Sequence, residues 1–108
     1  MHATLAPEET VILNDAESRF ELRTDGKLSV VEFQRRGDRT LALTHTEVPE
    51  ELEGQGVGSR LVRGVFDYVR ANGLNVIPLC PFVVAFLHRH PEYIADIQPE
   101  HQRRFTVQ

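Results

Sequence analysis

The chain has one cysteine, one lysine and no long apolar run, and each scarcity removes a class of protein. A lone thiol, Cys80, forms no internal disulfide and cannot supply the multi-cysteine ligand sets of structural zinc sites, so the fold must rest on packing. A reducing, cytoplasmic setting suits it. No segment approaches the roughly 20 consecutive apolar residues that a spanning helix needs, and Met1 to Glu9 lacks a basic segment followed by an apolar one. Neither export nor membrane insertion is expected. The cations are eleven arginines and Lys27, scattered rather than striped within a net charge of −4, so no electrostatic footprint for nucleic acid forms.

What is present suits one hydrophobic core: 108 residues, 41% of them apolar and 26% charged. Residues 1–9, polar with Pro7, read as a flexible N-terminal arm, and residues 10–108 as a single α/β domain. Val11-Ile12-Leu13 gives a first short strand. Phe20 and Leu22 alternate with charged residues, the Thr24-Asp25-Gly26 turn follows, and Leu28 to Phe33 resume the apolar pattern. A turn at Gly37-Asp38 leads into Thr40 to Thr46, completing an antiparallel meander. Beyond Pro49 the period changes: Val57, Leu61, Val62, Val65, Phe66 and Val69 recur at helical spacing, and Asn72-Gly73 stops the helix. Leu74 to Pro78 is a short apolar strand, so strand, helix and strand predict a right-handed crossover and a parallel pair. Pro81 opens a last core helix, whose apolar face is expected to carry Phe82, Val83, Phe86 and Leu87, and a short helix is expected near Pro99.

Gly54, Gly56 and Gly58 fall between a strand and a helix, where backbone amides converge on an anion and aligned peptide dipoles add about half a positive charge. The spacing is not that of a Walker loop, because Ser59-Arg60 follows Gly58. Nor is it the dinucleotide fingerprint, whose third glycine would fall on Ser59. The same glycines equally suit a plain tight turn that brings the helix close to the sheet, and the turn alone leaves both readings open.

Four blocks in order narrow the choice: His45-Thr46-Glu47-Val48-Pro49, Glu53 to Leu61, Val76 to Val83, and His90-Pro91-Glu92-Tyr93. Over about residues 17 to 93 the chain resembles the short YjdJ-type branch of the GNAT acetyltransferase superfamily. The resemblance implies a GNAT-like fold and an N-acetyltransferase that moves an acetyl group from acetyl-coenzyme A to an amine, a small molecule or a lysine-bearing acceptor. By similarity, the amides of Gln55, Gly56, Val57, Gly58 and Ser59 face the cofactor's pyrophosphate, and the backbone of Thr46, Glu47 and Val48 lines its pantetheine arm. Arg60 and Arg63, early in the helix, are candidates for its phosphates or are ordinary solvated helix residues. Two departures stand out. Glu53 occupies a position where the superfamily usually has Arg or Gln, so it is expected to point outward, and Phe20 to Phe33 leaves room only for a hairpin where larger members insert two helices, so the acceptor site is expected to be open.

Cys80 precedes a helix, where the dipole favours a thiolate, and is also a residue type often simply buried. The resemblance makes it a candidate catalytic residue, as acyl-carrying nucleophile or as a group beside the coenzyme A sulfur. An imidazole can change charge near neutrality, which makes His45 a candidate base for the acceptor amine, or else a residue bonding strand ends, with Thr46 placed to orient it. Tyr93 is a lesser candidate as proton donor. His88 and His90 are two apart with no carboxylate at helical ligand spacing, so no metal is expected. Glu47, Glu50, Glu51 and Glu53 either draw a cationic amine or are solvated. The alternative function is a non-catalytic acyl-coenzyme A binding module, and the expected state is a monomer or weak homodimer.

Overall fold

The structure, a computed structural model, describes residues 10–106, so the expected arm at residues 1–9 lies outside the described residues. The strands are β1 (Ile12–Asn14), β2 (Arg19–Thr24), β3 (Lys27–Arg36), β4 (Thr40–Glu47) and β5 (Asn75–Pro78). The helices are α1 (Val57–Ala71), α2 (Pro81–Arg89) and α3 (Arg103–Thr106), with 3-10 turns at Glu50–Leu52, Pro91–Asp96 and Pro99–His101. The sheet runs β1-β2-β3-β4-β5, antiparallel through β4 and parallel between β4 and β5, as the meander and crossover predict.

Local chemistry accounts for the joints. Asp25 (φ 52°) and Gly26 (φ 75°) are both left-handed, the combination that matches a two-residue hairpin to the strands' twist. The α1 stripe of Val57, Leu61, Val62, Val65, Phe66 and Val69 is buried along one face. That helix ends where Gly73 takes φ 66°: Leu74 N–H donates to Val69 O at 2.9 Å and Gly73 N–H to Arg70 O at 3.4 Å, closing off its last carbonyls. Pro81 opens α2 with Cys80 as its N-cap residue, and Pro91 follows its end.

Both α1 and α2 pack on one face of the sheet, where Phe20, Leu22, Val31, Phe33, Leu41 and Leu43 join them in a single apolar cluster. Phe66 and Phe86 stack across the two helices at 6.2 Å between ring centroids. One expectation is corrected here. Val83, Phe86 and Leu87 are buried, but Phe82 stays 40% exposed and lies over the start of α1, because the first turn of α2 overhangs the core rather than entering it.

The β3–β4 ladder carries an irregularity. Glu32 is opposite His45 while Phe33 is opposite Leu43, which leaves Thr44 as a surplus residue whose hydroxyl donates to Glu32 O at 3.2 Å. Pairing with β5 ends immediately before it, at Leu43 and Pro78, and Leu43 O takes the N–H groups of both Leu79 and Cys80 at 3.0 Å. From Thr44 to Glu47 the β5 side of β4 has no strand partner among the described residues.

Candidate functional site

A groove of about 520 Å³ opens where β4 and β5 part. Its floor is Thr46, Glu47 and Val48 at the end of β4. One wall is Leu52 to Gly54 with Gly56 to Ser59, and the other is Phe82 and Arg89 on α2. Of the residues expected to bind the cofactor, Thr46, Glu47, Val48, Gly56, Val57, Gly58 and Ser59 line this one groove. Gln55 and Arg60 do not line it; they brace its glycine turn, Arg60 Nη1 donating to Gln55 O at 3.1 Å and Gln55 Nε2 to Glu51 O at 3.2 Å.

The glycines are needed for two different reasons. Gly54 (φ 83°) and Gly56 (φ 78°) hold left-handed backbone on which an L side chain is strained. Gly58 is ordinary helix, but a Cβ there would run into the Phe82 ring, so its hydrogen is what lets α2 close over α1. Gly56 caps α1 without any side-chain hydrogen bond, and the first amide to find a helical acceptor is that of Arg60, on Gly56 O at 3.1 Å. Among the described residues the N–H groups of the preceding turn therefore stay available, with the positive end of the helix dipole behind them.

Cys80 is 4% exposed and does not line the groove. Its Sγ is 3.3 Å from Thr46 Oγ1, a contact in which either group can donate, so Thr46 stands between the thiol and the opening. His45 is on the other side of β4: successive residues point to opposite faces, and His45 Nε2 lies 3.6 Å from Glu47 Oε1 with both side chains exposed. Cys80 and Thr46 are thus brought together, and His45 is grouped with Glu47 instead. Tyr93 is buried against Phe66 and Phe86, and its hydroxyl accepts from Arg63 Nη1 at 3.3 Å, which makes both members of that pair part of the core's edge. Glu53 is exposed at the groove's rim, and Glu51 Oε2 lies 4.0 Å from Lys27 Nζ. His90 packs on Phe86 and His88 on Phe105.

Sequence reasoning missed Leu52, Phe82 as a groove residue, and Arg89. The seven-residue spacing of Phe82 and Arg89, two helical turns, was the available signal for a shared face.

A family model described as GCN5-related N-acetyl-transferase matches residues 19–97. Protein NATD1 of Danio rerio is 29% identical over 83 residues, covering 73% of this chain and 76% of that protein. The Homo sapiens NATD1 is 27% identical over 85 residues, covering 75% of each. Among solved structures, the NMR solution structure of a GCN5-like protein from Staphylococcus aureus superposes with a TM-score of 0.62 at 26% identity, covering 85% of this chain and 89% of that one. The four sequence blocks and the fold agree on one ancestry.

Proposed function

The chain belongs to the GCN5-related N-acetyltransferase family and is an acetyl-coenzyme A-dependent acyltransferase, and from that premise we propose that the groove between β4 and α1 holds the acetyl donor for transfer to an amine. Family membership sets aside the non-catalytic binding module. The observation that carries the reading is the meeting, in one groove, of a helix start with free amides and a strand end with free backbone.

The residues present fit the donor. The amides around Gly56 to Ser59 offer several N–H groups to a diphosphate with no side chain capping them, and the end of β4 that β5 leaves unpaired offers its backbone to an amide-bearing arm. Arg89 adds a cation to the groove's wall. When bound, acetyl-coenzyme A supplies an acetyl thioester, whose C–S bond breaks as the amide C–N bond forms and whose sulfur leaves as a thiol. His45 takes one proton from the acceptor's ammonium, with the carboxylate of Glu47 3.6 Å from its Nε2. The nitrogen's second proton, lost as the amide forms, reaches the departing sulfur through the hydroxyl of Thr46, which takes one proton as it gives up the other, and the thiol of Cys80 positions that hydroxyl. Cys80 is in this reading a positioning residue rather than an acyl carrier.

Calorimetry with acetyl-coenzyme A tests the groove. Gly56→Glu is expected to abolish binding in a protein whose circular dichroism is native, and unchanged affinity would remove the turn from the site. Intact mass after exposure to acetyl-coenzyme A tests the role of Cys80: an acetyl increment that disappears in Cys80→Ser would restore the covalent route.

A further inference from the structure

On the face of the sheet away from α1 and α2, opposed residues form two rows. Arg19, Glu32 and His45 are successive partners across β2, β3 and β4, and Glu21, Val30 and Glu47 form the next row. Residues directly opposite one another share a face, so these six surround one stretch of sheet. A second cavity, of about 390 Å³, lies there, lined by Arg19, Leu28, Val30, Glu47 and Pro49. Glu47 lines this cavity and the cofactor groove alike, so the two meet at the last residue of β4.

The lining has a definite chemistry. Leu28 and Val30 make an apolar floor, Val30 being only 8% exposed. Glu47 supplies a carboxylate at the junction, with His45 Nε2 at 3.6 Å. Among the described residues Arg19 is the one cation lining the cavity, and it is engaged: its Nε donates to Glu21 Oε2 at 2.8 Å. An arriving anion would have to compete with Glu21 for that guanidinium and lie near Glu47.

We infer that this cavity is the acceptor site, and that it takes a primary amine at the end of an apolar arm with no acidic group next to the nitrogen. The apolar arm covers Leu28 and Val30, and the ammonium is drawn to Glu47, where the neighbouring imidazole of His45 removes one proton and later releases it to solvent. The freed nitrogen then lies at the junction with the cofactor groove. An α-carboxylate would sit against Glu47 with no cation but the engaged Arg19 among the described lining residues, and amino acids are rejected for that reason. The inference rests on the acetyl-transfer reading above and names the substrate class of the same site.

The test uses a matched pair, n-pentylamine and norleucine, which share one arm and differ by the α-carboxylate. Thiol release from acetyl-coenzyme A is followed for each, alongside cofactor affinity by calorimetry. The wild-type chain is expected to favour pentylamine by at least about tenfold in kcat/KM. Glu47→Gln is expected to lower kcat/KM for pentylamine about tenfold and to narrow that preference. Val30→Lys, checked for native circular dichroism, is expected to block pentylamine while leaving cofactor affinity in place. Cofactor binding with equal use of the two amines, or turnover of pentylamine unmoved by both variants, would overturn the acceptor assignment and leave the acetyl-transfer reading intact. Failure of the wild-type chain to bind acetyl-coenzyme A at all would overturn both.

Discussion

The two ends of α1 are built to opposite specifications from the same residue type. At the C-terminal end, Gly73 turns left-handed so that the amides of Gly73 and Leu74 satisfy carbonyls of the last turn, and nothing is left over for a ligand. At the N-terminal end, Gly56 turns left-handed to the same degree, yet no side chain caps the helix and the first amides face a groove. A glycine with positive φ therefore says where a backbone bends, and the partners of the freed amides say whether the bend is structural or functional.

That contrast can be broken most directly at Gly56. Gly56→Glu is expected to cost at least about a hundredfold in affinity for acetyl-coenzyme A, about 2.7 kcal/mol, as read by calorimetry. Gly73→Ala is the counterpart. Each substitution puts a Cβ on left-handed backbone and is expected to cost about 1–2 kcal/mol of stability in urea unfolding, but only the first should change cofactor affinity. Equal losses of binding from both would show that the groove depends on helix stability alone. A smaller effect is expected at the groove's far wall, where Arg89→Gln should weaken binding about threefold at low salt and less as salt rises, since an exposed charge is screened over about 10 Å at 0.1 M.

The smallest effect lies away from both helix ends. Glu21 is held below the ordinary carboxylate range by hydrogen bonds from Arg19 and then Asn14. A depressed carboxylate adds stability above its unfolded pKa and loses it as pH falls through the folded one. Glu21→Gln is therefore expected to lower the melting temperature at neutral pH by an amount worth no more than about 1 kcal/mol, with the gap to wild type closing in acid. A gap that persists below the carboxylate range would mean that shape rather than charge is what Glu21 contributes.

Much of the frame was legible because periodicity and turn chemistry are local. The Asp25-Gly26 hairpin, the α1 stripe and the parallel β4–β5 pair follow from residues within a few positions of one another. The glycine turn was legible as a turn, and became legible as a groove wall only with the resemblance and the fold. Phe82 was misassigned because its helical phase places it beside buried Val83, and only the overhang of α2 across Gly58 decides that its ring stays out. Arg89 shares the helical face of Phe82 two turns on, but nothing in its neighbours tells which cavity a helix end will meet. His45 and Cys80 were both read as near the chemistry, but the strand face that separates them is a property of register rather than of composition.

The surplus Thr44 fixes that separation. Side chains on a strand alternate strictly, yet Leu43 and Thr46, an odd number of positions apart, both face the helices, because one residue too many reverses the parity of everything after it. Without the bulge, alternation running straight through Thr44 would turn Thr46 away from Cys80 and drive His45 and Glu47 inward against the apolar layer, whereas deleting Thr44 would leave Leu43 followed directly by His45 and every later side chain on its present face. The bulge thus lets the strand carry one residue more than its partner without exchanging the chemistry of the sheet's two sides.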